Sequence, residues 1–128
     1  MDERRTRSPL AEARGLGSAK EGVHAWWLER VTAVALVPLT LWLMASLIGF
    51  GGRDYAAVIA WLSDPLVALL LVLLLLALFV HLALGLKVII EDYVHSRAKI
   101  PALIAARLIC VVLCVAGILA TLSVSFAG

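Results

Sequence analysis

Three stretches of the chain, Val31 to Phe50, Pro65 to Leu86 and Leu108 to Gly128, run for roughly 20 residues each without one Lys, Arg, Asp or Glu. An α-helix of that length crosses a hydrocarbon core about 30 Å thick. Backbone polar groups in such a core must pair within the protein, so only helices and closed barrels span it, and continuous apolar runs lack the alternation of barrel strands. With 63% hydrophobic residues among 128, a soluble domain with a wet surface is excluded. The expectation is an all-α protein of three transmembrane helices, over 29–50, 65–92 and 101–126, with Pro101 opening the third. These helices make up one anchor domain over 21–128. Residues 1–20, rich in Arg, Glu, Ala, Gly and Ser, are expected to be a flexible lead rather than a packed element. They are not a cleavable signal, because the first apolar run begins only near Val31 and has full spanning length.

Orientation follows from basic residues counted loop by loop. Arg4, Arg5, Arg7, Arg14, Lys20 and Arg30 precede the first span, and Lys87, Arg97, Lys99 and Arg107 flank the connection between the second and third. Only Arg53 lies between the first and second. The N-terminus and second loop are therefore expected to be cytoplasmic, with the first loop and C-terminus on the opposite side. The net charge of +2 is accounted for by topology and anionic headgroups, not nucleic acid. Arg107, soon after Pro101, is expected to snorkel to the headgroups, with contact to a bound lipid or a docked subunit as the other option. Trp26 and Trp27 fit an interfacial aromatic belt.

His81 breaks the pattern from within the second span. An ionisable side chain in hydrocarbon is unfavourable unless a helix bundle uses it, so it is a functional-site hypothesis by default. Two readings stand: an axial ligand to a haem iron, or a neutral imidazole hydrogen-bonded to a Ser or Thr on a neighbouring helix. At about 100° per residue, Ala77, His81, Gly85, Val88 and Asp92 share one stripe. Small residues a turn either side of His81 admit a flat macrocycle or a closely packed helix. At about 1.5 Å per residue His81 lies roughly 16 Å along the helix from Asp92, which suggests a position near the bilayer centre. One histidine supplies one axial ligand. His24 and His95 lie outside the spans, so this is half of a six-coordinate site.

Asp92 and Tyr93 close the second span with two readings of their own. Tyr93 fits the aromatic belt and Asp92 a solvated charge near Arg97 and Lys99. Alternatively the phenol donates to a quinone carbonyl while the carboxylate orders water for proton delivery. Cys110 and Cys114, one turn apart in the third span, read as small packing residues. No phosphate loop, nucleophile triad or internal repeat is present, so no catalytic residue is expected.

The run Gly22-Val23-His24-Ala25-Trp26-Trp27-Leu28-Glu29-Arg30-Val31-Thr32-Ala33, taken with His81, Gly85 and Asp92-Tyr93-Val94, closely resembles the hydrophobic membrane anchor, the D subunit, of bacterial succinate dehydrogenase. The resemblance covers residues 20–128 and its specificity lies in the spacing of the two motifs. It implies one half of a heterodimeric membrane-anchor helix bundle in the bacterial cytoplasmic (inner) membrane, paired with a second, cytochrome b-type anchor. The pair docks an iron–sulfur subunit and a flavoprotein, and electrons from succinate reach ubiquinone. On this resemblance His81 is the axial ligand to haem b, shared with the partner anchor, and Arg30 is the arginine near its propionates. Tyr93 is the tyrosine that hydrogen-bonds quinone, Asp92 its acidic neighbour, and His24 an interfacial residue. The chain is then a non-catalytic subunit of an enzyme complex. The alternative is a haem-free structural anchor of the fumarate reductase type, in which His81 is a satisfied packing residue.

Overall fold

A computed structural model describes residues 17–127, with side chains from residue 22 onward. The described residues are entirely helix and connecting turns, in the order α1 (Gly17–Gly49), α2 (Tyr55–Leu62), α3 (Pro65–Tyr93) and α4 (Lys99–Ala127). The three long helices α1, α3 and α4 are long and apolar enough to cross a membrane. Of the lead expected over 1–20, residues 1–16 lie outside the described residues, and 17–20 form the first turn of α1. Helix α1 thus starts about four turns before its apolar run.

Local chemistry sets the boundaries. After α1 the chain turns through Gly51 and Gly52, and Gly52 takes φ +82, a left-handed conformation that costs side-chain-bearing residues about 1 kcal/mol. Asp54 then caps α2 by accepting from the Ala57 amide at 3.0 Å. Asp64 does the same for α3 from the Leu66 amide at 2.9 Å, with Pro65 at the first helical position, where the missing N–H costs nothing. Pro101 lies in the first turn of α4, also outside the helix interior. Pro38 is the exception: it sits inside α1 and leaves the Val34 carbonyl without an amide partner.

Helix α3 is the central member. It packs against α1 and α4, while α1 and α4 share no extended interface. At Gly117 in the α3–α4 seam a β-carbon would lie 3.2 Å from both Leu75 methyls. Nearby, the Cys114 thiol faces the Leu75 carbonyl at 3.9 Å and Cys110 is buried, in keeping with cysteines used for packing. Helix α2 leans on α3 and α4, and Trp61 on it meets Trp42 and Phe50 at ring-centroid distances of 5.8 Å and 5.1 Å. Arg53 covers the Phe50 ring.

Little of the chain is shielded. Among the described residues the buried apolar side chains are Val67, Ala68, Leu74, Ala77 and Cys110, and the buried polar one is Thr32. Helix α1 in particular presents Val31, Val34, Val37, Leu41, Met44 and Ile48 outward. That distribution suits a helix row with lipid or protein around it, since apolar side chains facing hydrocarbon carry no hydration penalty.

Candidate functional site

Thr32 is buried on α1, and its Oγ1 lies 2.7 Å from the Leu28 carbonyl and 3.1 Å from that of Glu29. A threonine hydroxyl has one proton, and the shorter contact takes it back into its own helix. The oxygen's lone pairs are left free. Across the α1–α3 seam the third neighbour of that oxygen is His81 Nδ1, at 3.1 Å. With the hydroxyl proton held by Leu28, Nδ1–H is the donor and Thr32 Oγ1 the acceptor. Of the two neutral tautomers, this selects the one in which Nε2 carries the lone pair.

The surroundings of the ring leave space. His81 is half-buried. One turn toward the middle of α3, Ala77 is buried in the helix packing. One turn the other way, a β-carbon on Gly85 would meet nothing within 4 Å. Farther along the same stripe Val88 is 48% exposed and Asp92 is exposed. The stripe is therefore a packed contact below His81 and an open surface above it. Among the described residues no three His, Cys, Asp or Glu side chains converge as a metal cage.

Opposite His81 stands Thr32, two residues after the charged Arg30, so Arg30 lies within about 3 Å of the level of His81 along the helices. His81 is about 24 Å from Pro65 and about 18 Å from Tyr93 along α3, close to the middle of that helix.

The other expected site residues are not gathered around His81. Arg30 is exposed and lies about 200° around α1 from Thr32, where its guanidinium covers the Trp26 ring at 5.2 Å. Asp92 and Tyr93 are both exposed at the end of α3, and Tyr93 is 79% exposed. His24 and His95 are exposed too. The residue to which the sequence assigns no role of its own is Thr32, although a Ser or Thr partner for His81 is one of the two expectations. Its signal was a hydroxyl just inside the first span, and the register that brings it to His81 is written in neither segment alone.

Residues 4–120 match the family model described as the succinate dehydrogenase/fumarate reductase transmembrane subunit. The chain belongs to that family. Among its relatives, the succinate dehydrogenase hydrophobic membrane anchor subunit of Rickettsia bellii is 33% identical over 115 residues, covering 89% of this chain and 92% of the relative. The protein of the same name from Rickettsia conorii is 32% identical over 117 residues with the same coverage. That of Paracoccus denitrificans is 33% identical over 97 residues, 76% of this chain and 75% of its own length. The matched span contains all four helices apart from the last turns of α4, so membership is carried by the three-span arrangement and not by one motif. The protein is a multi-pass membrane protein.

Proposed function

We propose that this chain is the membrane anchor subunit of a succinate dehydrogenase, a non-catalytic member of the complex that shares haem b with a partner anchor and contributes to a ubiquinone site. The observation that carries the proposal is the Thr32–His81 hydrogen bond. It orients the imidazole and leaves Nε2 unprotonated, the state an iron ligand needs, in the manner of outer partners that fix ligating histidines. Open space at Gly85 allows a flat macrocycle to approach the helix backbone. Haem b, when bound, supplies a one-electron carrier whose potential depends on axial ligands and burial. Arg30, about 3 Å from Thr32 along the axis, offers a cation at the depth where propionates would emerge, on the outer face of α1 that a partner anchor would cover. Tyr93 offers a phenolic donor at the interface, and Asp92 beside it a carboxylate able to order water for the protons that quinone reduction consumes.

The same reading puts the chain in a bacterial cytoplasmic membrane, N-terminus inside and C-terminus outside, as the basic residues suggest. Its anchor domain spans 21–128, preceded by a cytoplasmic lead. The iron–sulfur and flavoprotein subunits would then dock on the face that bears Tyr93 and the α3–α4 turn.

A second reading has an observation in its favour. The hydroxyl of Thr32 already gives His81 a partner inside the membrane, so a haem-free structural anchor of the fumarate reductase type would also tolerate this imidazole. The deciding measurement is a reduced-minus-oxidised absorption spectrum of the protein purified with its accompanying subunits, beside His81→Ala. A b-type band that is lost or shifted in the variant while the subunits remain together supports ligation. A spectrum without that band, or one indifferent to the substitution, leaves the structural anchor.

A further inference from the structure

Between α3 and α4, on the side of the bundle that carries Tyr93, lies a cleft of about 300 Å³ lined by Leu84, Lys87, Leu103, Ile104, Ala106 and Arg107 among others. Its lining includes two cations and no acid. The cleft is about 120° around α3 from His81, so it is separate from the site described above. Its dimensions are at the small end of those that hold a small molecule.

The register of the α3–α4 seam sets its depth. Gly117 faces Leu75 and the helices run antiparallel, so Arg107, ten residues before Gly117, comes level with Gly85, ten after Leu75. Lys87 is two residues farther, or about 3 Å. On α1, where Thr32 faces His81, the residue level with Gly85 is Leu28, and Arg30 lies about 3 Å farther into the bundle. Three cations from three helices therefore fall within about 6 Å along the bundle axis, a band suited to the boundary between hydrocarbon and headgroups. Arg30 is stacked on Trp26, on another face of the bundle. Lys87 and Arg107 converge on a single cleft, where two like charges at a low-dielectric boundary repel unless an anion lies between them.

We infer that this cleft binds an anionic phospholipid, with its phosphodiester between Lys87 and Arg107 and its apolar part against Leu84, Leu103 and Ile104. The charge fits, because a guanidinium and an ammonium together bind phosphate oxygens through directed donors and a point charge. So does the lining: the two cations sit among apolar side chains, with Ala83 and Leu84 on the inner side of Arg107 and Leu103 and Ile104 on the outer, surface that a soluble anion would leave uncovered, and Ile104 is 55% exposed. Basic pockets between spans at a headgroup level are sites where acidic lipids are retained. The inference rests on the membrane arrangement alone and is independent of whether His81 ligates haem.

The test uses the protein with its accompanying subunits, reconstituted in nanodiscs containing equal phosphatidylglycerol and phosphatidylcholine, then released for native mass spectrometry. Retained phosphatidylglycerol is expected to exceed phosphatidylcholine. Lys87→Gln with Arg107→Gln is expected to weaken that retention roughly 30-fold, while Arg53→Gln, at the other end of the bundle, leaves it unchanged. If the double variant does not assemble, the charge-preserving exchange Lys87→Arg with Arg107→Lys takes its place and should keep the preference. Equal retention of the two lipids by the unaltered protein would overturn the inference, as would a preference untouched by the double variant. Displacement of the lipid by inorganic phosphate at constant ionic strength would also count against it, since the cleft would then be a simple anion site.

Discussion

The Thr32 hydroxyl and the His81 imidazole meet at 3.1 Å across the seam of α1 and α3, and the proton that Thr32 gives to Leu28 decides which ring nitrogen of His81 is left free. One side chain on the first span therefore sets the tautomer of a histidine on the second.

Removing that hydroxyl separates the two readings of His81. Thr32→Val keeps the shape and deletes the acceptor, at a stability cost of about 1 kcal/mol or less, the scale of a single polar contact between membrane helices. For an axial ligand, the loss of the Nδ1 partner should also shift the haem midpoint potential or lower haem occupancy, and Thr32→Ser should restore both. A redox titration of the purified complex checks this. A change confined to thermal stability would favour the structural anchor.

Tyr93→Phe removes one exposed donor without altering the fold. Loss of a single hydrogen bond to quinone, about 1 kcal/mol, predicts a roughly 5-fold weaker quinone reductase activity, with succinate oxidation by a soluble artificial acceptor intact. Parallel loss in both assays would show that the substitution acts on assembly instead.

At Gly117 the room runs out. Gly117→Leu would drive a branched side chain into the Leu75 methyls and should destabilise the α3–α4 seam by about 2 kcal/mol. Gly117→Ala asks Leu75 to yield by only a few tenths of an ångström, and the better helix propensity of alanine, up to about 1 kcal/mol, offsets much of that. Thermal unfolding of the complex in detergent measures the difference, and equal tolerance of both would mean the seam is looser than its geometry.

Asp64→Ala removes the acceptor that holds the Leu66 amide and should cost about 1 kcal/mol, whereas Asp64→Asn retains the cap and most of the stability. The same unfolding assay compares the pair. An asparagine variant as unstable as the alanine one would point to the charge and not the cap.

Much of this architecture is legible in the sequence, and the reasons for the rest are particular. Absence of charge over a spanning length places α1, α3 and α4, and a histidine inside such a run declares itself. Helix α2 was not anticipated, although its elements are visible in Asp54 and the apolar run from Tyr55 to Leu62: a short apolar segment between two spans reads as loop when only spanning length is sought. The early start of α1 escaped notice because Gly17 and Gly22 are poor helix formers. The pairing of His81 with Thr32 is hidden for a different reason. A helical wheel gives the angle of His81 but not its level against α1, and that level depends on which residue of one helix meets which of another.

The sparse interior has a consequence for supply. A globular chain carries its stability wherever it goes, but here no apolar side chain of α1 is fully buried among the described residues and most face outward, so any subunit that covers that flank adds to stability by mass action. Copies made in excess of such a subunit would have lipid alone against that flank and would be the less stable ones.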